Sequence, residues 1–344
     1  MRVLHVVSSL NVGGAERFVI DLASEQKANQ NLSVGILSMG SWDEPLEYEI
    51  KGNGFSLYLE TAVLRIKKVL TEYDVVHVHS SHCLLRVLLA SLYQNIRIVY
   101  TRHNERVHKS LKWQFVYLLA RLKLHKMVFV AEKAKSNYLI QYPSFAKKAE
   151  TVLNGAVNIS KIKKTGVKFR LSHVGRFVPL KAQHILIEAV ALLPLSEQQK
   201  IALSFYGTGE LLERNMHLSK QLIPDVDVDF HGFESNRENI YEKTDVLIVT
   251  SETEGLSLAI LEALSSGTPT IASYVGGNSE LVKHNVNGFL YDYSDIKALA
   301  SCIKTLLFDK ELCKEFSNNC VEVYKEKFSI KLCAERYYSA YQSS

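Results

Sequence analysis

Two glutamates eight positions apart, Glu254 and Glu262, flank the start of an apolar run in SETEGLSLAILEALSSG (251–267). Glu254 ends a loop that follows a strand-like segment, where a carboxylate is placed to accept hydrogen bonds from hydroxyl groups. The backbone amides of Gly255, Leu256 and Ser257 lie at the start of the next helix, where an anion such as phosphate is favoured. Glu262 falls among Ile260, Leu261, Ala263 and Leu264, and a carboxylate on such a face is costly to bury without partners. In Gly175-Arg176-Phe177-Val178-Pro179-Leu180-Lys181 two cations stand five residues apart before another helix. An arginine fork and a lysine point charge at that spacing can clamp a diphosphate. Gly13 and Gly14 in NVGGAE let a backbone approach a ligand closely, but the motif is not GxGxxG and carries no dinucleotide fingerprint. Gly276-Gly277-Asn278-Ser279-Glu280 follows a further strand-like run. Each motif also has a plain structural reading: a tight turn, solvated cations, an exposed helix glutamate.

Other patterns carry less. Asp225, Asp227 and Asp229 alternate as a metal motif could, yet on a strand they share one face and read as a solvated edge. His77 and His79 share a face in the same way and read as packed, hydrogen-bonded side chains. Asp245 opens a strand and reads as structural. The five cysteines form no CxxC pair and read as free thiols of a reducing cytoplasm; no metal site is expected.

These residues need elements to hold them. With 344 residues, 47% apolar and 22% charged, the chain is globular and sized for two domains. Strand-like runs at 2–9, 33–40, 74–81, 97–103, 126–132 and 150–156 alternate with helical ones, including 13–26, 60–73 and 82–93. Such alternation implies parallel βαβ units and an α/β class. The basic stretch 157–170 lacks periodicity and reads as a linker, after which the pattern restarts with strands at 169–176, 201–207, 226–233, 245–251 and 268–277. A short helix near 330–341 carries Leu332, Tyr337, Tyr338 and Tyr341. No apolar run reaches the length of a membrane span, and the first apolar run is too short for a signal sequence.

Charge is uneven. Residues 1–160 hold 20 Lys+Arg against 13 Asp+Glu, whereas 161–344 hold 21 against 23. The basic half suits an anionic partner. No nucleic-acid reading element is present, but residues 108–126 form a basic, aromatic helical stretch of the kind that rests on anionic lipid. The competing reading is a core-facing helix with an ordinary solvated side.

Taken in order, Glu254 and Glu262, GRFVPLK, YGTGE (206–210), HGF (231–233), SGTPTIAS (266–273), GGNSELV (276–282) and NGFLYD (287–292) resemble the retaining glycosyltransferases of family four. GGAE and DVVHVHS near the start are similar to that family too. The resemblance implies the GT-B fold: two doubly wound Rossmann-like domains facing across a cleft, with a C-terminal helix returning to the first. It assigns 1–158, plus the helix 329–344, to acceptor binding and 159–328 to the nucleotide-sugar donor. Arg176 and Lys181 would hold the donor diphosphate, Glu254 the sugar hydroxyls and Glu262 the ribose. Gly13, Gly14, Gly207, Gly255, Leu256, Ser257 and Phe233 would line the donor or acceptor, and His103 matches a histidine near the reacting sugar. No cofactor and no metal are implied. The expected donor is a nucleotide diphosphate sugar, with uridine ahead of guanosine as its base. The expected acceptor is a saccharide, in particular a lipid-linked one. The implied place is the cytoplasm, peripheral on the inner face of the cytoplasmic membrane. Two rivals stand beside this reading: a nucleotide-sugar epimerase of the same fold, and a non-catalytic sugar-nucleotide-binding scaffold.

Overall fold

The computed structural model describes residues 1–103, 110–159 and 166–342. It divides into two compact units, Met1–Gly155 with Ile330–Ser344, and Ala156–Ser329. In the first unit seven strands form one parallel sheet: β1 (Arg2–Val7), β2 (Ser33–Ser38), β3 (Ser56–Leu59), β4 (Val75–Val78), β5 (Arg97–Arg102), β6 (Leu124–Phe129) and β7 (Ala149–Thr151). Their order is β3-β2-β1-β4-β5-β6-β7. The central strands are runs such as VVHV and RVLHVV, covered on both faces, which is why they are mostly apolar rather than alternating. Leu4, Val6, Val76, Val78, Ile98 and Phe129 are fully buried in its core. The helix Ile330–Gln342 packs against the helix Gly14–Asn29 and against β5.

The second unit repeats the plan with β8 (Phe169–Val174), β9 (Ile201–Tyr206), β10 (Asp227–Gly232), β11 (Val246–Val249), β12 (Thr270–Ser273) and β13 (Gly288–Tyr291), in the order β10-β9-β8-β11-β12-β13. In each sheet the order reverses once, between β1 and β4 and between β8 and β11. A doubly wound sheet binds ligands beyond the carboxyl ends of its strands at that switch point.

The structure departs from the sequence reading in several places. β3 and β13, SLYL and GFLY, are four-residue outer strands too short to stand out. The helix Glu132–Gln141 buries only Ala134 and Tyr138, so it has no apolar stripe to read. The basic stretch forms a helix only over Leu111–Lys123, because Leu124 already begins β6; His108 and Lys109 lie outside the described residues. The first boundary falls after Gly155 rather than after 158. Val157 O and Ile159 N–H both bond to Ser265 Oγ, at 2.9 and 2.8 Å, and Ile159 is buried. The start of the expected linker is therefore part of the second unit, while its residues 160–165 lie outside the described residues. Among the described residues no helix is long and apolar enough to cross a membrane, and none of the five cysteines is in a disulfide.

Candidate functional site

In the second unit the loops after β8 and β11 meet at the switch point and are stitched together. Glu252 N–H donates to Leu180 O at 2.9 Å, and Thr250 Oγ1 donates to the carbonyl of Lys181 at 2.8 Å. These bonds fix the backbone of Lys181 beside Glu254, and the ammonium of Lys181 forms an ion pair with Glu254 Oε1. Ser251 Oγ donates to the same oxygen at 2.7 Å. Glu254 Oε2 has no partner among the described residues, which leaves it able to accept from a ligand hydroxyl. Arg176, on the same loop as Lys181, is exposed, and no described residue pairs with its guanidinium. Ser257 is the N-cap of the helix Leu258–Ser265, so first-turn amides without intrahelical partners lie just beyond Glu254. Two cations, one open carboxylate oxygen and a helix start can bind a phosphorylated, hydroxyl-rich ligand.

Glycines shape this edge from beneath. Gly276 has φ of +50°, and a Cβ there would collide with the carbonyl oxygen of Glu254. The loop after β12 thus supports the glutamate loop by direct backbone contact, with Gly277 N–H donating to Gly255 O at 2.9 Å. Gly207 has φ of +137°, and a Cβ would strike the carbonyl of Gly175. What the structure shows at Gly207 is support for the cation loop. Leu256 is buried, and Phe233 is 46% exposed beyond the end of β10.

Glu262 is 6% exposed and has protein partners on both oxygens. Arg237 Nε donates to Oε1 at 2.8 Å, and the Tyr241 hydroxyl lies 3.1 Å from Oε2. Burial, and next the charge of Glu262, hold the Tyr241 hydroxyl well above its usual pKa. Sequence reasoning asked what partner Glu262 would have and did not find Arg237, which sits on the five-residue helix Arg237–Tyr241. Asp245 is structural, as read: Arg170 donates to both its oxygens, at 2.7 and 3.1 Å. Asp227 and Asp229 are exposed on the outer strand β10, and Asp227 pairs with Lys168 at 2.8 Å.

In the first unit Gly13 ends the loop after β1 and caps the helix Gly14–Asn29 in an extended conformation. Beyond β4 and β5 stand His79 and His103. His103 is half-buried, and its Nε2 lies 3.1 Å from His79 Nδ1. His79 Nε2 lies 2.8 Å from His5 Nδ1, and His5 Nε2 lies 2.9 Å from Gln26 Oε1. His77 bonds to Tyr341 Oη and to Thr101 Oγ1, each at 2.7 Å. His5, His77 and His79 bring ring nitrogens within 4.8 Å of one another, a spacing a metal ion could use. All six of those nitrogens are already engaged in hydrogen bonds, which is the packed arrangement read for His77 and His79.

Burial lowers the pKa of His5 and of His103 to about 4, and that of His77 and His79 well below the ordinary value; His77 and His79 are depressed further by neighbouring rings. An unfolded chain would titrate these groups near 6.5. Between pH 6.5 and about 4 the unfolded chain therefore binds protons that the folded unit does not. Stability falls as pH drops through that window and is fully present above it. For His5, a change from 6.5 to about 4 corresponds to about 3 kcal/mol. Urea unfolding at pH 7.5 and pH 5 should give a clearly lower midpoint at pH 5; equal midpoints would contradict a neutral histidine cluster.

Comparison with known proteins decides what this arrangement belongs to. Residues 12–157 match the family model Glycosyltransferase Family 4, and residues 157–322 match Glycosyl transferases group 1. The chain belongs to glycosyltransferase family four. An α-1,4-N-acetyl-D-galactosaminyltransferase of Campylobacter jejuni, named for a diNAcBac-PP-undecaprenol-linked acceptor, is 26% identical over 95% of this chain and 94% of its own. A UDP-Gal:α-D-GlcNAc-diphosphoundecaprenol α-1,3-galactosyltransferase of Escherichia coli is 28% identical over 75% of this chain and 72% of its own. Among solved structures, HepE of Anabaena in complex with UDP and glucose aligns with a TM-score of 0.87 at 22% identity, covering 100% of both chains. That likeness establishes the GT-B fold for this glycosyltransferase. In family terms, its group 1 half carries Arg176, Lys181, Glu254 and Glu262 on one sheet edge, and its family 4 half carries Gly13, Gly14 and His103.

Proposed function

We propose that this glycosyltransferase moves a sugar from a UDP-sugar, with retention of anomeric configuration, to a hydroxyl of a lipid-linked saccharide in the assembly of a bacterial surface glycan. The observation that carries the reading is the Lys181–Glu254 pair, held at the second sheet's switch point by the stitched loops, beside Arg176, whose guanidinium has no partner among the described residues. Arg176 and Lys181 take up the negative charge that develops on the departing diphosphate, which is electrostatic stabilisation of the transition state. Glu254 Oε2 holds a hydroxyl of the sugar. Glu262, oriented by Arg237 and Tyr241, holds the ribose. The family resemblance assigns His103 to the reacting sugar, and Gly13 and Gly14 to the phosphates or the acceptor. With no side chain assigned as covalent nucleophile, the acceptor attacks from the face the diphosphate leaves, and the leaving phosphate takes its proton. The donor needs no separate cofactor, because cations and helix amides neutralise its phosphates. Relatives named for undecaprenol-linked acceptors and the UDP complex of HepE support this choice of substrates.

The test is thermal stabilisation by UDP, UDP-sugars and GDP-sugars, each with and without EDTA. A ligand at one hundred times its Kd adds about 2.7 kcal/mol to a state that alone binds it. The expected result is a Tm rise with UDP and one or more UDP-sugars that EDTA does not remove. A response to GDP-sugars alone, or to none, would overturn the donor assignment.

The reading includes a peripheral position on the anionic inner face of the cytoplasmic membrane. On the helix Leu111–Lys123, Val116, Tyr117 and Ala120 face the core. Leu111, Phe115, Leu118 and Leu122 are 82%, 54%, 56% and 72% exposed, and their spacing puts them in one stripe. Lys112 and Arg121 are exposed beside them. An apolar stripe with flanking cations is suited to an anionic lipid surface, where each cation contributes about 1 kcal/mol. The protein is expected to float with phosphatidylglycerol-containing vesicles and not with pure phosphatidylcholine. Phe115→Glu with Leu118→Glu should abolish flotation without altering the Tm; unchanged flotation would remove the helix from the interface.

A further inference from the structure

The first unit contains a chain of hydrogen bonds that the proposed reaction does not use. It runs from His103 through His79, His5, Gln26, Tyr341, His77 and Thr101 to Tyr337. Its members come from β1, β4, β5 and the residues just after them, from the helix Gly14–Asn29, and from the C-terminal helix Ile330–Gln342. All but His103 are buried.

The chain has one direction, set by the amide of Gln26. Gln26 Nε2 donates to Tyr341 Oη at 3.1 Å, so its Oε1 must accept from His5 Nε2–H at 2.9 Å. A neutral imidazole carries one proton, so His5 Nδ1 is an acceptor and receives His79 Nε2–H at 2.8 Å. His79 Nδ1 is then an acceptor in turn and receives His103 Nε2–H at 3.1 Å. On the other arm, with its oxygen accepting from Gln26, Tyr341 can donate to His77 Nδ1 and His77 Nε2–H to Thr101, each at 2.7 Å, while Thr101 Oγ1 and Tyr337 Oη lie 3.2 Å apart and either can donate. Reversing any one of these bonds between His103 and Gln26 would reverse them all. The remaining atom, His103 Nδ1, has no hydrogen-bond partner among the described residues, and His103 is the member of the chain that is only half-buried.

We infer that Gln26, through His5 and His79, is a positioning residue that holds His103 in its Nε2–H tautomer, so that Nδ1 presents a lone pair to a sugar hydroxyl. The opposite tautomer would present an N–H, which repels a hydroxyl hydrogen and favours an oxygen acceptor instead. Tyr341 accepts from the Gln26 amide, so the C-terminal helix closes this relay. The inference rests on the reading of His103 as a neighbour of the reacting sugar, but its tautomer can be tested apart from that reading.

The experiment is ¹⁵N NMR of protein labelled at histidine, with the His103 signals assigned by their loss in His103→Ala. In the wild type, Nε2 should resonate as a protonated, pyrrole-like nitrogen and Nδ1 as a bare, pyridine-like one. The reverse pattern, or a mixture, overturns the inference with no variant needed. Gln26→Leu removes the acceptor that sets the direction and should give mixed tautomers at His103. UDP release should then fall at least about tenfold, a wrong-tautomer effect, with the KM of the donor little changed. UDP release is read with whichever of UDP-glucose, UDP-galactose, UDP-N-acetylglucosamine and UDP-N-acetylgalactosamine the wild type turns over fastest. Gln26→Glu keeps an oxygen acceptor facing His5 and should recover the wild-type tautomer and much of the rate. A Gln26→Leu protein whose His103 tautomer is unchanged overturns the relay. If His103→Ala turns over normally, the reading of His103 fails, and the tautomer measurement still decides the relay.

Discussion

Lys181→Ala is expected to lower kcat by roughly 10²–10³-fold, the range for removing one preorganised donor from a transition-state charge. Arg176→Ala should fall in the same range, because its exposed guanidinium is the other cation on that loop. The two losses differ in kind. Arg176 leaves no described partner behind, whereas removing Lys181 leaves Glu254 with Ser251 as its one remaining described donor. An uncompensated carboxylate beside a diphosphate repels it, so Lys181→Ala should also weaken UDP binding more than Arg176→Ala does. Adding Glu254→Gln to Lys181→Ala relieves that repulsion. The double variant should bind UDP more tightly than Lys181→Ala alone, while remaining inactive if Oε2 of Glu254 holds the sugar. The coupling is read from a double-mutant cycle of UDP dissociation constants. Turnover within threefold of wild type in both single variants would remove the cation loop from the reaction.

Arg237→Ala carries the largest expected loss of stability, about 3–5 kcal/mol, as for breaking a buried ion pair by deleting one partner. The side chains of Arg237 and Glu262 are only 10% and 8% exposed, so water cannot replace the guanidinium. Tyr241→Phe removes a hydroxyl that lies 3.1 Å from the Glu262 carboxylate and 2.9 Å from the carbonyl of Ala259, and should cost about 1.5–3 kcal/mol, the range for a hydrogen bond to a charged group. Combining Arg237→Ala with Glu262→Gln removes the stranded charge and should restore part of the loss, although nucleotide affinity should stay low. Urea unfolding of the four proteins gives the order. An Arg237→Ala protein within about 1 kcal/mol of wild type would mean that water solvates Glu262 once the guanidinium is gone, against the burial argument.

Much of this was legible in the sequence where local pattern and function coincide. Long buried strands such as RVLHVV must be apolar, and loops that follow them must supply the ligand groups, so Arg176, Lys181, Glu254 and Glu262 can be picked out with the strands that carry them. β3 and β13 were not legible as strands, since four residues at the outside of a sheet are neither long nor uniformly apolar. Partnerships were harder still. Arg237 and Glu262 lie 25 positions apart, and nothing in RENIY marks that arginine as buried. His5 and His79 are 74 positions apart. His77 and His79 could be paired by alternation along one strand, whereas Gln26 and Tyr341 join them only when helices pack on the sheet. Alternation reports which side of a strand a residue faces and says nothing of what arrives there from elsewhere in the chain.

The helix Ile330–Gln342 lies late in the chain, yet it belongs to the unit that begins at Met1. Arg97 Nη1 donates to the carbonyl of Tyr341 at 2.6 Å, and Tyr341 bridges Gln26 and His77. During synthesis the first sheet leaves the ribosome early, but its histidines stay without their last partner until the whole second unit has been made. The order of translation thus makes the second unit the first that can be finished. A nascent chain stalled before residue 330 would display an incomplete first unit, with the polar ends of Gln26 and His77 open to solvent or to a chaperone.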